Sequence, residues 1–337
     1  MFSNINAALS IPDSVYTPKF SVQDLLYPEI TPFEEGKLKV SERHTLWYAQ
    51  YGHPKGTPVV VLHGGPGGGC GPNDMRYFDP AFYRIILLDQ RGSKRSTPQG
   101  EIKENTTQHL IQDLEQLKHH LKIDQWLILG GSWGSTYALL YAEQYPDACL
   151  GFILRGVFLG TASENKAFWY GMQDIFPEAW EALVAHLSHA EQQDLIQSYD
   201  KRLNHPDSAV HLAAANAFMK YDLICSFLNI DHTFLEKTLA DKHAMLAVAR
   251  ILTHYCKNNF FIKENEILDN LHKIKHLPLI IVQGRYDIVC RPKRAYQLHK
   301  AWPGSQLVLV PESGHAALEI GTTKALVAAS NRFKDKL

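Results

Sequence analysis

Gln125-Trp-Leu-Ile-Leu-Gly130-Gly131-Ser132-Trp133-Gly134 decides how the chain folds. A short apolar run leads into Gly-x-Ser-x-Gly, and residues 133–145 then read as a helix ended by Pro146. A serine between a buried strand and a helix sits on a sharp turn. Its flanking glycines let strand and helix pack closely. Its hydroxyl is lifted clear at the carboxyl end of the strand, with a helix N-terminus behind it. Composition alone gives only about 0.07 chance matches to this pattern in the chain. Ser132 is therefore read as a nucleophile.

Working outward, short β-rich apolar runs recur at residues 44–51, 58–62, 84–88, 125–129 and 151–154, and again at 278–282 and 306–310. Runs of four to six apolar residues bounded by Gly, Pro or Asp read as buried strands. Helical patterns lie between them at 106–121, 133–145, 292–301 and 322–333. In the first, Leu110, Leu114, Leu117 and Leu121 share one face. Alternating strands and helices predict an α/β fold, a mostly parallel sheet covered by helices on both faces. Residues 158–276 differ. They read as an all-helical cap inserted between two strands, with helices expected at 177–187, 207–228 and 234–255. The expected organisation is an N-terminal extension at 1–27, a catalytic domain at 28–157 and 277–337, and the cap.

A nucleophilic serine needs a base, and the base needs an orienting acid. Pro278-Leu-Ile-Ile-Val-Gln-Gly-Arg-Tyr-Asp287 places an acid just past one strand, and Gln306-Leu-Val-Leu-Val-Pro-Glu-Ser-Gly-His315 a base just past another. The order Ser132, Asp287, His315 is that of α/β-hydrolases. His63 is the rival base, but it precedes the nucleophile and suits a structural hydrogen bond better. It heads a cluster of six glycines between Gly64 and Gly71. Bare backbone there aims N–H groups at a developing oxyanion, with Gly65 and Trp133 as the expected donors. No Gly-Lys-Ser/Thr ending supports phosphate cradling instead. Asp89 and Arg91 are expected to form an ion pair bracing the neighbouring loops. His186 and His189 read as a solvated helix face rather than a metal site.

Composition excludes several classes. The 337 residues carry 34 Lys+Arg against 35 Asp+Glu, a formal net charge of −1. Neither nucleic acid nor an anionic membrane is an expected partner. No apolar run approaches the roughly 20 residues of a membrane span. The start lacks the basic and apolar regions of a signal peptide. Five scattered cysteines without Cys-x-x-Cys suggest a reducing cytoplasm.

His63-Gly-Gly-Pro-Gly67, Asp89-Gln-Arg-Gly92 with Arg95-Ser96, Gly130-Gly-Ser-Trp-Gly-Ser135, Gly284-Arg-Tyr-Asp-Ile-Val-Cys290 and Ser313-Gly-His315-Ala together resemble the prolyl aminopeptidases, serine peptidases of the α/β-hydrolase fold. The likeness runs from about Leu26 to the C-terminus and includes Phe176-Pro-Glu-Ala-Trp180 in the cap. It implies release of an N-terminal proline from short peptides with a free N-terminus, with no metal or cofactor. Ser132, Asp287 and His315 would be the triad, with Gly65 and Trp133 the oxyanion amides. Phe158 and Cys290 would line the pocket for the proline ring. The family's Trp-x-x-Trp-Glu stretch stands here as Phe218-Met-Lys-Tyr221-Asp222, so Tyr221 and Asp222 are expected to bind substrate and Asp222 to hold the amine. A second family Glu is replaced by Leu252, and Glu319 is a candidate to compensate. Lys94 stands where the family usually has Gly.

Two alternatives stay open on the sequence. One is an esterase or amidase on the same scaffold with relaxed amine recognition. The other is a non-catalytic binding protein of this fold.

Overall fold

The computed structural model describes residues 21–335. Most of the expected N-terminal extension, residues 1–20, lies outside the described residues. Its last part does not stand apart. Leu26 is buried against the body, and the Tyr27 hydroxyl donates to Asn331 at 2.7 Å.

The chain opens with β1 (Glu34–Lys39), β2 (Thr45–Gly52), β3 (Thr57–Leu62) and β4 (Tyr83–Asp89). Then come α1 (Thr107–His120), β5 (Trp126–Gly131), α2 (Trp133–Gln144) and β6 (Cys149–Arg155). The strands form one eight-stranded sheet with β7 (Leu279–Gly284) and β8 (Gln306–Val310), in the order β1-β2-β4-β3-β5-β6-β7-β8. β1, β2 and β4 pair antiparallel, and every later pairing is parallel. The central strands are continuous apolar runs because both faces are covered. α1, α2 and α11 (Pro292–Ala301) pack on one face, and α12 (Ile320–Lys334) on the other.

β1 was not anticipated. Its sequence, Glu34-Glu-Gly-Lys-Leu-Lys39, is charged and mostly exposed. That composition protects an edge from pairing with other chains, and it hides the strand from a hydrophobic pattern.

Between β6 and β7 the chain is helical: α3 (Ala162–Tyr170), α4 (Pro177–Val184), α5 (His189–Gln192), α6 (Leu195–Leu203), α7 (Ser208–Ser226), α8 (His232–Ala240), α9 (Lys242–Lys257) and α10 (Glu266–Asn270). One long helix was expected over 234–255, but the structure makes two. Asp241 breaks the run, its carboxylate accepting from the Ala244 amide at 3.0 Å to start α9. A short polar side chain that competes for backbone amides favours a cap over a helix interior. The cap has its own aromatic core, in which Trp169 stacks on Phe218 with ring centroids 4.9 Å apart. No helix among the described residues is long and apolar enough to cross a membrane.

Candidate active site

Ser132 lies between β5 and α2, at the N-cap of the helix, with φ 57° and ψ −125°. This region is unfavourable for an L-residue and persists only where its surroundings over-determine it. Here the Ser132 amide donates to Arg155 O at 2.8 Å, and its carbonyl accepts from the Ser135 amide at 2.8 Å. A Cβ on Gly134 would lie 2.0 Å from Leu62 O. No side chain fits there, so the glycine lets α2 pack directly on the end of β3.

The ends of β5, β7 and β8 bring three side chains together. His315 Nε2 lies 3.0 Å from Ser132 Oγ, and its Nδ1 lies 2.9 Å from Asp287 Oδ2. Asp287 is only 2% exposed. Its two oxygens also accept from the Cys290 amide at 2.8 Å and the Gln283 side chain at 3.1 Å. A carboxylate held this way faces His315 Nδ1 and fixes the imidazole with its proton on that atom. Nε2 then carries no proton and faces the hydroxyl whose proton it takes, with Arg155 Nη1 3.3 Å away. His63 has another role. Burial pushes it down to about 4, its Nε2 accepts from the Gln90 amide at 3.0 Å, and its Nδ1 meets Gly64 O at 2.9 Å. It is a neutral brace under the glycine loop.

The glycine loop passes beside the serine. A Cβ on Gly64 would sit 3.1 Å from Ser132 Cβ, and Gly65 takes φ +112°. Trp133 is the first residue of α2, so its amide has no partner within the helix. Both donors border the same cavity as Ser132.

That cavity holds about 330 Å³ and is lined mostly by apolar atoms. Phe158, Cys290 and Asp222 line it, as does Leu252. Cys290 Sγ lies 3.9 Å from Ser132 Oγ. Asp222 is half-buried on α7, with no hydrogen bond or ion pair among the described residues. Burial pushes its carboxyl up to about 6, with His315 pulling the other way.

Two expected substrate contacts are not brought here. Tyr221 is buried in the cap core and donates to Phe168 O at 2.6 Å. Successive helical residues point about 100° apart, so it cannot share the face of Asp222. Glu319 does not line the cavity. Its carboxylate accepts from the amides of Gly314 and Leu228. The Asp89–Arg91 pair is also corrected. Asp89 pairs with Arg95 at 2.7 Å, and Arg91 with Asp113 at 2.6 Å. Both pairs are structural.

The sequence reading missed Arg155, Glu164 and Phe168 in the lining. Arg155 ends β6 and donates to His315 O at 3.0 Å. The strand-end rule that located Asp287 and His315 would have found it. Glu164 belongs to a capping box with Thr161, legible as Thr-x-x-Glu. Its oxygens are held by Thr161 and the Leu159 amide.

The sequence matches the alpha/beta hydrolase fold family over residues 57–322. It is 46% identical to a probable proline iminopeptidase of Leptolyngbya boryana, over 91% of this chain and 96% of that one. It is 47% identical to the proline iminopeptidase of Xanthomonas citri, over 91% and 99%. The proline iminopeptidase of Arabidopsis thaliana matches at 46%, over 92% and 82%. Among solved structures, VinJ superposes with a TM-score of 0.64 at 19% identity, covering 91% of this chain and all of that one. A bromoperoxidase from Bacillus anthracis gives 0.62 at 20%, over 90% and 100%. At those identities the structural likeness speaks for the fold alone.

Proposed function

The chain belongs to the proline iminopeptidase family of the α/β hydrolase fold, and from that premise we propose that it releases N-terminal proline from short peptides by a Ser132–His315–Asp287 acyl-enzyme mechanism. The observation that carries the reading is the unbroken hydrogen-bonded chain from Ser132 Oγ through His315 to Asp287, opening on a cavity with one unpartnered carboxylate.

His315 Nε2 takes the Ser132 proton as Oγ attacks the prolyl carbonyl. The Gly65 and Trp133 amides hold the oxyanion, each such donor worth about 2.7–4 kcal/mol of barrier. Asp287 stabilises the imidazolium. His315 then returns the proton to the leaving amine, and water attacks the ester to free proline and Ser132. Phe158 and Cys290 wall the ring. Asp222 pairs with the protonated α-amine, which restricts cleavage to chain ends. The cap, residues 158–276, closes over this first residue. The five cysteines are free and buried, which supports a cytoplasmic location.

The test compares a proline arylamide with its N-acylated form and a simple ester. The arylamide is cleaved well and its N-acylated form poorly. One observation favours a second reading. Leu252 borders the cavity where the family carries a second carboxylate, which suits an esterase or amidase indifferent to the amine. N-acylation without effect on the rate would select that reading over the first.

A further inference from the structure

The catalytic cavity continues outward along the glycine loop. Gly68, Met219, Thr238 and Val248 border both it and a second cavity of about 130 Å³. The second cavity is mostly apolar, and among the described residues that line it only Lys94 is charged. Lys94 also borders a wider outer cavity of about 650 Å³, which it shares with Gln99 and Ala244. The three cavities thus adjoin one another from Ser132 through an apolar neck to Lys94, an exposed residue.

Lys94 is unusual in its backbone as well as its position. It takes φ +39°, a conformation glycine adopts without steric cost and lysine does not. The strain is held by contacts. Its Nζ donates to Cys70 O at 2.8 Å. Its stem lies so close over Gly69 that a Cβ there would come within 2.6 Å of Lys94 Cδ. No carboxylate pairs with it among the described residues. The neighbouring charges are committed elsewhere or face outward. Arg95 is held by Asp89, and Asp74 accepts from the Gly71 amide at 2.7 Å. Asp241 caps α9. Glu29 and Asp241 border only the outer cavity.

We propose that Lys94 binds the terminal carboxylate of a short peptide whose first residue occupies the catalytic cavity. This inference rests on the exopeptidase reading above and adds a second terminus to it. An anionic Asp222 at the inner end and a cationic Lys94 at the outer end, with apolar walls between, match the charge polarity of a zwitterionic peptide. An extended chain advances about 3.3–3.6 Å per residue, so only peptides of one or two particular lengths bring both ends to their partners. Longer chains leave through the outer cavity with their carboxylate beyond reach.

The experiment measures kcat/KM for proline-led peptides of two to five residues, each as the free acid and as the C-terminal amide, with a proline arylamide as reference. Wild-type enzyme favours the acid over the amide by about two- to fivefold at the preferred length, as expected for one exposed ion pair. The difference lies in KM and fades at about 1 M salt. Lys94→Met keeps the stem over Gly69 and brings the acid-to-amide ratio to about one, and Lys94→Glu takes it below one. The arylamide rate of each variant corrects for any indirect effect on the glycine loop. A wild-type ratio of one at every length overturns the inference, as does a preference that survives in Lys94→Met. If wild-type enzyme does not cleave the arylamide, the exopeptidase reading itself falls, and this inference with it.

Discussion

The two walls of the catalytic cavity are built on opposite terms. On the sheet side, Ser132, His315 and Asp287 are saturated with partners from their own chain. The Ser132 turn is tied to Arg155 and Ser135, and Asp287 takes three hydrogen bonds. On the cap side, Asp222 has none among the described residues, and its neighbours in the lining include Leu223, Leu252 and Phe168. The saturated wall is ready before substrate arrives, so binding energy is not spent on arranging it. In the proposed mechanism the unsaturated wall is completed by the protonated amine of the substrate. That mechanism places chemistry on the sheet and selectivity on the inserted helices.

The largest effect comes from breaking the saturated wall. Ser132→Ala should lower kcat/KM at least about 10⁴-fold on every substrate, arylamide and ester alike. Thermal unfolding should show a fold that is intact. Retention of a wild-type rate would remove Ser132 from the mechanism.

Breaking the unsaturated wall should discriminate between substrates instead. Asp222→Asn keeps the shape and removes the charge. It should lower kcat/KM for a free-amine substrate about 10- to 100-fold, the factor for losing a charged hydrogen bond of about 1.5–3 kcal/mol. The rate on an N-acylated or ester substrate should be nearly unchanged. In wild-type enzyme the ratio of the two rates cancels the triad's own titration. It should fall with acid through a midpoint of about 6, because the carboxyl that must be an anion is neutral below that value. A ratio independent of pH between 5 and 8 would mean that Asp222 does not meet the amine.

Between the walls lies a join. The amides of His315 and Ala316 both donate to Ser226 O, the last residue of α7. Glu319 bridges the same two segments through Leu228 and Gly314. The helix that carries Asp222 therefore also hangs the loop that carries His315. Glu319→Ala should lower kcat about tenfold with little change in KM, since it loosens the base rather than the binding groups. An unchanged kcat with a raised KM would return Glu319 to the substrate side.

This join also marks where sequence reading reached its limit. The saturated wall was legible because each of its residues follows a short apolar strand, and strand ends converge by topology. Ser132, Asp287 and His315 could be picked by position alone. The cap offers no such rule. Tyr221 and Asp222 are adjacent in sequence and equally suitable in type, yet the step of about 100° between successive helical residues sends the first into the core. Glu319 has the right charge for an amine partner, but two backbone amides consume it. Asp89 and Arg91 are close in sequence and opposite in charge, yet each finds its partner elsewhere, in Arg95 and Asp113. In these cases side-chain direction and competition for partners decide the outcome, and both are properties of the packed fold.

The smallest effect is on stability, and it has the opposite sign from the effect on activity. Asp222 ionises near 3.8 in an open chain and near 6 in the fold. The folded state thus holds the proton more tightly, and ionising the carboxyl costs the fold free energy. That cost is absent below pH 3.8, grows between 3.8 and 6, and is full above. Asp222→Asn removes it without changing volume. The variant should melt about 2–4 °C higher than wild type at pH 8 and show no gain at pH 3.5, as followed by calorimetry at the two values. Equal gains at both would assign the effect to packing. No gain at pH 8 would mean that the carboxylate is already compensated in the empty cavity. A gain confined to pH 8 would identify Asp222 as a group retained for what it binds at the expense of the fold that holds it.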